Sequence, residues 1–148
     1  MTCIWLKRFN SSPHRDGGYD IADYYSVDPR IGTMGDFVDF MEEAATRGLA
    51  VITDLVVNHT SSDHPWFVEA SSSRHSPLRD FHIWRDEPLP PEASPERITF
   101  SGDDTSVWTL HESGQHYLHR LYPHEPDLNN ADPPVRGVSL VERTPSPG

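Results

Sequence analysis

The chain has 148 residues, of which 35% are apolar. That is below the roughly 45–50% usual for globular domains even when glycine is added, so the expected core is thin. Twelve basic against 23 acidic residues give a net charge of −11, which argues against nucleic acid or an anionic membrane surface as a partner. The single cysteine, Cys3, excludes an internal disulfide framework and suits a reducing cytoplasm.

Along the chain, Cys3-Ile4-Trp5-Leu6 is a short apolar run that reads as a buried strand. Lys7 and Arg8 come after it. A signal peptide has the reverse order, with charge first and a longer apolar stretch behind it. No run approaches the roughly 18 apolar residues of a membrane span. Thr33 to Arg47 reads as a helix. Thr33 with Asp36 resembles a capping box that has Asp in the Glu position. Phe37, Phe40, Met41 and Ala44 recur at helical spacing on one face, with Glu42, Glu43 and Arg47 largely on the other. Gly48 is placed to end the helix. Leu49 to Val57 is then nearly all apolar, interrupted by Thr53 and Asp54, the pattern of a parallel strand covered on both faces. Strand, helix and strand within this length make a βαβ unit.

The sequence changes character near residue 60. Twelve of its fourteen prolines lie after residue 62. Glu87 to Pro95 cannot hold regular structure and reads as an exposed loop. Ile98 to Phe100 and His116 to Tyr122 are candidates for short strands. Val141 to Gly148 reads as a disordered tail. His111, His116, His119 and His124 lie close together, which raises zinc as a possibility. No cysteine stands near them and no helical i,i+4 pair occurs, so they read as structural histidines among aromatics.

The most informative segment is Asp54-Leu55-Val56-Val57-Asn58-His59. It puts an Asp inside an apolar strand and Asn-His where the strand ends. Alternation separates Asp54, Val56 and Asn58 from Leu55, Val57 and His59. Polar groups at the C-terminal end of a parallel strand line the usual ligand position. On these residues alone, a buried Asp tied to backbone donors beside an ordinary turn is an equal alternative.

Asp-x-x-x-Asn-His after an apolar run resembles the first signature region of the α-amylase superfamily, glycoside hydrolase family 13, on the third strand of its (β/α)8 barrel. Gly18-Tyr19-Asp20-Ile21-Ala22-Asp23-Tyr24 resembles the family segment after the second strand. Pro126-Asp127-Leu128-Asn129 resembles the signature late in the domain inserted after strand three. His64-Pro65-Trp66-Phe67, Arg79-Asp80-Phe81 and His119-Arg120 look like the trehalose synthase and α-glucosidase branch. Three signatures in the right order are far more specific than one, and the resemblance spans roughly residues 3 to 136. Glu125 departs from it by standing where the family has Gln. Lys7-Arg8-Phe9-Asn10 departs too, replacing an apolar, proline-containing strand end.

The resemblance implies an α/β fold: a partial (β/α)8 barrel, strands two and three, over residues 1–59, and an irregular inserted domain over 60–131. Residues 132–148 would hold a truncated helix start and the tail, as in an internal piece of a longer coding region. The resemblance further implies cleavage or transfer of α-glucosidic bonds with retention, on an α-glucoside or malto-oligosaccharide. Tyr19 would stack on the sugar, Asp20 would accept its hydroxyls and His59 would donate to its hydroxymethyl oxygen, with Asp54 as a strut for the strand end. Asn58 and Asp127 resemble the family's Ca2+ pair, since a hard cation takes oxygen ligands. Retaining chemistry needs a nucleophile and an acid carboxylate about 5–5.5 Å apart. In the family these follow strands four and five, so no catalytic residue is expected here. Asp20 and Asp23 share one loop, Asp103 and Asp104 are adjacent, and neither pair supplies the arrangement. The apolar strand edge also predicts self-association.

Overall fold

A computed structural model describes residues 2–90 and 106–141, and the chain divides into two compact units, Met1–Val56 and Val57–Gly148. In the first unit, β1 (Cys3–Leu6) and β4 (Ala50–Thr53) pair in parallel, from Cys3 opposite Ala50 to Leu6 opposite Thr53. Between them lie a short antiparallel pair, β2 (Asn10–Ser11) and β3 (Asp23–Val27), and the helix α1 (Met34–Thr46). The expected strand, helix and strand are therefore all present.

Helix α1 begins at the expected cap. Thr33 Oγ1 accepts from Asp36 N at 3.2 Å, and Asp36 Oδ2 accepts from Thr33 N at 2.7 Å. These bonds satisfy donors that the first turn leaves open. At the other end Gly48 takes a left-handed φ of 66°, which glycine adopts without the Cβ penalty. Ala44 is buried, Phe37 and Phe40 are half-buried, and the Phe9 and Phe37 rings stack at 4.6 Å.

Two expectations for the strands need correction. The run Leu49–Val57 is strand only over Ala50–Thr53, because its partner β1 ends at Leu6 and leaves nothing for later residues to pair with. Asp54 thus stands just past the strand rather than inside it. Nor are the strands covered on both faces. Trp5 and its register partner Ile52, opposite each other on the sheet of two strands, are 64% and 56% exposed, so one face lacks a cover there.

The second unit starts with α2 (Pro65–Ser72), capped by His64, whose Nδ1 accepts from Trp66 N at 3.1 Å. Pro65 at its first position costs no hydrogen bond there. A 3-10 turn, Arg79–Phe81, leads to a three-stranded antiparallel sheet of β5 (Trp84–Arg85), β6 (Trp108–Leu110) and β7 (His116–Leu118), with β7 central. Val107, Trp108 and Leu118 form its core, with Ile83 against them. Phe67 stacks on Trp84 at 5.5 Å, and the buried Arg79 guanidinium lies 3.4 Å from the Trp84 ring centroid. Helix α3 spans Pro133–Val141.

Strand β7 realises the start of the predicted run 116–122 and stops at Leu118, opposite Trp108, the first residue of β6. Residues 87–90 are irregular, as expected, while 91–95, the predicted strand 98–100 and residues 142–148 lie outside the described residues. Val141, assigned to the tail from sequence, belongs to α3. The four nearby histidines are engaged separately. His119 Nε2 meets Thr109 Oγ1 at 2.9 Å, His116 Nδ1 meets the Asp86 carbonyl at 3.3 Å, His124 stacks on Tyr122, and His111 packs against Phe67, Trp84 and Tyr117. Among the described residues, no helix is long and apolar enough to cross a membrane.

Candidate functional site

The six residues singled out from sequence fall into two groups. Tyr19, Asp20 and Asp54 belong to the first unit; Asn58, His59 and Asp127 belong to the second.

In the first unit, the loop after β2 carries Tyr19. The turn that presents it needs Gly17 and Gly18, at φ 55° and 101°. A Cβ on Gly18 would come within 3.4 Å of Arg8 Cβ. The Arg8 guanidinium lies 3.6 Å from the Tyr19 ring centroid, a cation–π stack. The Tyr19 hydroxyl donates to Asp54 Oδ2 at 3.2 Å, and Trp5 Nε1 donates to Asp54 Oδ1 at 2.8 Å. Asp54 therefore ties the Gly-Tyr-Asp loop and β1 to the end of β4.

Asp20 is wholly buried and well supplied with donors. It accepts from Ser12 Oγ at 2.6 Å, Arg15 N at 3.2 Å and Arg15 Nε at 3.1 Å. Burial alone would raise its pKa, but the Ser12 and Arg15 hydrogen bonds outweigh burial and hold it below the ordinary value. A neighbouring network repeats the pattern. Buried Asp28 accepts from Arg30 Nη2 at 2.6 Å and pairs with His14 Nε2 at 2.9 Å, and Arg30 also donates to the Ser12 carbonyl at 2.6 Å. The Arg30 hydrogen bond, ahead of the opposing effect of burial, keeps the Asp28 carboxyl far below the carboxylate range. These two buried carboxylates hold the loop that presents Tyr19.

In the second unit, residues 58–62 run beside 124–128. Leu128 N donates to the Asn58 carbonyl at 2.8 Å, Thr60 N to Pro126 O at 3.2 Å and Ser62 N to His124 O at 2.9 Å, and His59 and Asp127 form an isolated antiparallel bridge. His59, Glu125 and Asp127 are all buried. His59 Nε2 lies 3.6 Å from Glu125 Oε1. Asp127 Oδ2 takes Arg120 Nη1 at 2.5 Å, and its Oδ1 takes Arg120 N at 3.1 Å. Asn58 Nδ2 makes two long contacts of 3.4 Å, one to Asp127 Oδ1 and one to His59 Nδ1. His82 is 2% exposed, and its Nδ1 meets the Asp127 carbonyl at 3.1 Å. Burial lowers its pKa from 6.5 to about 4.

This arrangement does not fit the calcium ion that the resemblance implies. A cation would need the Asn58 amide oxygen and an open Asp127 oxygen. Here Asn58 turns its nitrogen toward Asp127, and Arg120 grips both carboxylate oxygens. Among the described residues, no three His, Cys, Asp or Glu side chains stand together as ion ligands.

Several residues of these networks carried no role in the sequence reading, Ser12, Arg15, Asp28, Arg30 and His82 among them. Glu125 was visible only as a departure from the family signature, and Arg8 only as part of one. Arg120 stood in a family motif without a role, and nothing local marked Trp5 as a partner of Asp54.

The profile of the family described as "Alpha amylase, catalytic domain" matches residues 1–140. The chain is 45% identical over 142 residues to a trehalose synthase of Pimelobacter sp. (strain R48), covering 95% of this chain and 24% of that protein. It is 47% identical to a glucan 1,6-alpha-glucosidase of Streptococcus dysgalactiae subsp. equisimilis, covering 92% and 24%. Among solved structures, the trehalose-6-phosphate hydrolase of Bacillus licheniformis matches with a TM-score of 0.83 at 44% identity, covering 95% of this chain and 25% of that one. The isomaltulose synthase of Klebsiella sp. LX3 matches at 0.86 and 36%, covering 97% and 25%. The chain thus spans about a quarter of the length of these relatives.

Proposed function

Because the chain belongs to the α-amylase catalytic-domain family, we propose that it forms one side of the sugar site of an enzyme that cleaves or transfers α-glucosidic bonds with retention. The observation that carries this reading is the 44–47% identity, over at least nine-tenths of the chain, to relatives named for α-glucosides. On this reading β1 and β4 are strands two and three of a (β/α)8 barrel, and the second unit is the insertion after strand three. Tyr19 offers its ring to the apolar face of a glucose unit, a use suited to aromatic side chains. Asp54 holds that ring by its hydroxyl. His59, in the second unit, supplies a donor to the sugar, with Glu125 beside it. Asp20 takes a different place from the one the resemblance implies: saturated by Ser12 and Arg15, it stabilises the loop rather than meeting sugar hydroxyls.

These 148 residues would bind without turning over. Asp20, Asp28 and Asp36 are held below their ordinary values by hydrogen bonds, as suits structural carboxylates, and no carboxylate pair in the sequence reads as the nucleophile and acid that retention needs. With maltose, trehalose and 4-nitrophenyl α-glucoside, we expect no turnover by the purified chain and weak binding of maltose by NMR titration. Tyr19→Ala should weaken that binding about tenfold, or 1.4 kcal/mol. Turnover that survives purification and is lost in Asp127→Ala would refute the expectation of binding without chemistry. Binding indifferent to both Tyr19→Ala and His59→Ala would refute the sugar site.

A further inference from the structure

We propose that the Arg120 guanidinium takes the place of a divalent cation at the junction of Asn58 and Asp127, so that this junction closes without metal. The Asp127 side chain is 0% exposed, and a buried carboxylate needs a compensating charge. Arg120 supplies that charge and a further hydrogen bond: the guanidinium holds Oδ2 at 2.5 Å and the backbone N–H holds Oδ1 at 3.1 Å. A calcium ion would have to approach those same oxygens to about 2.3–2.6 Å. It would also bring two positive charges beside a guanidinium already seated there.

The neighbours are arranged for a donor rather than for an ion. Asn58 points its amide N–H groups at Asp127 Oδ1 and His59 Nδ1. His59 engages Glu125 with its other nitrogen. The Asp127 carbonyl is met by His82 Nδ1 at 3.1 Å, so the backbone oxygen of this residue also faces a hydrogen-bonding group rather than an open ion position. The Arg120 side chain is 36% exposed, whereas the acid it neutralises is 0% exposed. This inference concerns the junction alone, and failure of sugar binding would leave it intact.

The test is thermal unfolding of the whole chain in EDTA, in millimolar calcium and in millimolar magnesium, with limited proteolysis around residues 118–130 as a second measure of the same junction. Terbium luminescence serves as a direct probe of ion binding. The expected result is one midpoint and one cleavage rate in all three solutions, with no saturable terbium signal. Arg120→Ala should lower the midpoint and speed cleavage in EDTA, and Arg120→Lys should recover part of the loss. Calcium that raises the wild-type midpoint or slows its cleavage would overturn the proposal. So would a saturable terbium signal that Asp127→Asn abolishes, or an Arg120→Ala chain indistinguishable from wild type in EDTA. If Arg120→Ala fails to fold, the wild-type comparison decides alone.

Discussion

His82 is neutral and buried at the centre of the second unit, where its ring meets Phe67 edge-on at 5.1 Å and its Nδ1 reaches the Asp127 carbonyl. Its folded pKa of about 4 lies below the unfolded value of 6.5. Between these values the unfolded chain binds a proton that the folded chain refuses. Stability therefore falls as pH drops through that window, by about 1.4 kcal/mol per pH unit. Chemical denaturation of wild type and His82→Gln from pH 7 to pH 4 should show the two stabilities converging at the acid end. Parallel curves would mean that His82 titrates alike in the folded and unfolded states. The same buried neighbourhood makes Arg120→Ala costly: roughly 1–3 kcal/mol for a charged hydrogen bond lost from a buried acid whose partner is partly in water. At this scale the sequence was informative about residue types and poor about partners. His59 was read as a polar group where an apolar run ends, and Tyr19 and Asp127 were read from the family signatures that contain them. The capture of Asp20 by Ser12 and Arg15, and of Asp127 by Arg120, was not, because family signatures record which residue occurs and not which donor reaches it first.

Helix α1 was the most legible element, because every signal that defines it is local: cap, apolar spacing and terminal glycine. Thr33→Ala removes the side-chain acceptor for Asp36 N and should cost about 1 kcal/mol of stability, readable as a lowered urea midpoint with unchanged m-value. No change in midpoint would mean that packing of Phe37 and Phe40 alone determines the helix. The strands were less legible, for a physical reason. A strand's length is set by its partner, and β4 stops at Thr53 because β1 stops at Leu6, a limit that the apolar run to Val57 cannot reveal. Strand β7 ends early for the same kind of reason. Its neighbour β6 begins at Trp108, opposite Leu118, although the predicted pattern continues to Tyr122.

At the scale of the whole molecule, the first unit leaves apolar surface in water on two elements. Trp5, Ile52 and Leu55 are more than half exposed around the parallel pair, and Met34, Val38 and Met41 form an exposed stripe at helical spacing along α1. Such surfaces favour association with other chains. Light scattering should show the purified chain associating as concentration rises, and Ile52→Lys should reduce this; a monomer at all concentrations would refute it. The thin core read from composition agrees with this picture. An open pocket of about 200 Å³ on the first unit is lined by Leu6, Phe9, Val27, Phe37 and Phe40 among others. The second unit has a different property, which follows from the way residues 58–62 lie against 124–128. The long excursion between them leaves and returns at adjacent points, so its contour length is nearly decoupled from its anchorage. Closing a loop costs only about 0.6 kcal/mol more each time its length doubles. The excursion is in effect a cassette on two stems: a segment of another length could be spliced there, provided it still supplied Asp127 with the contacts that Leu118, Arg120 and His82 make.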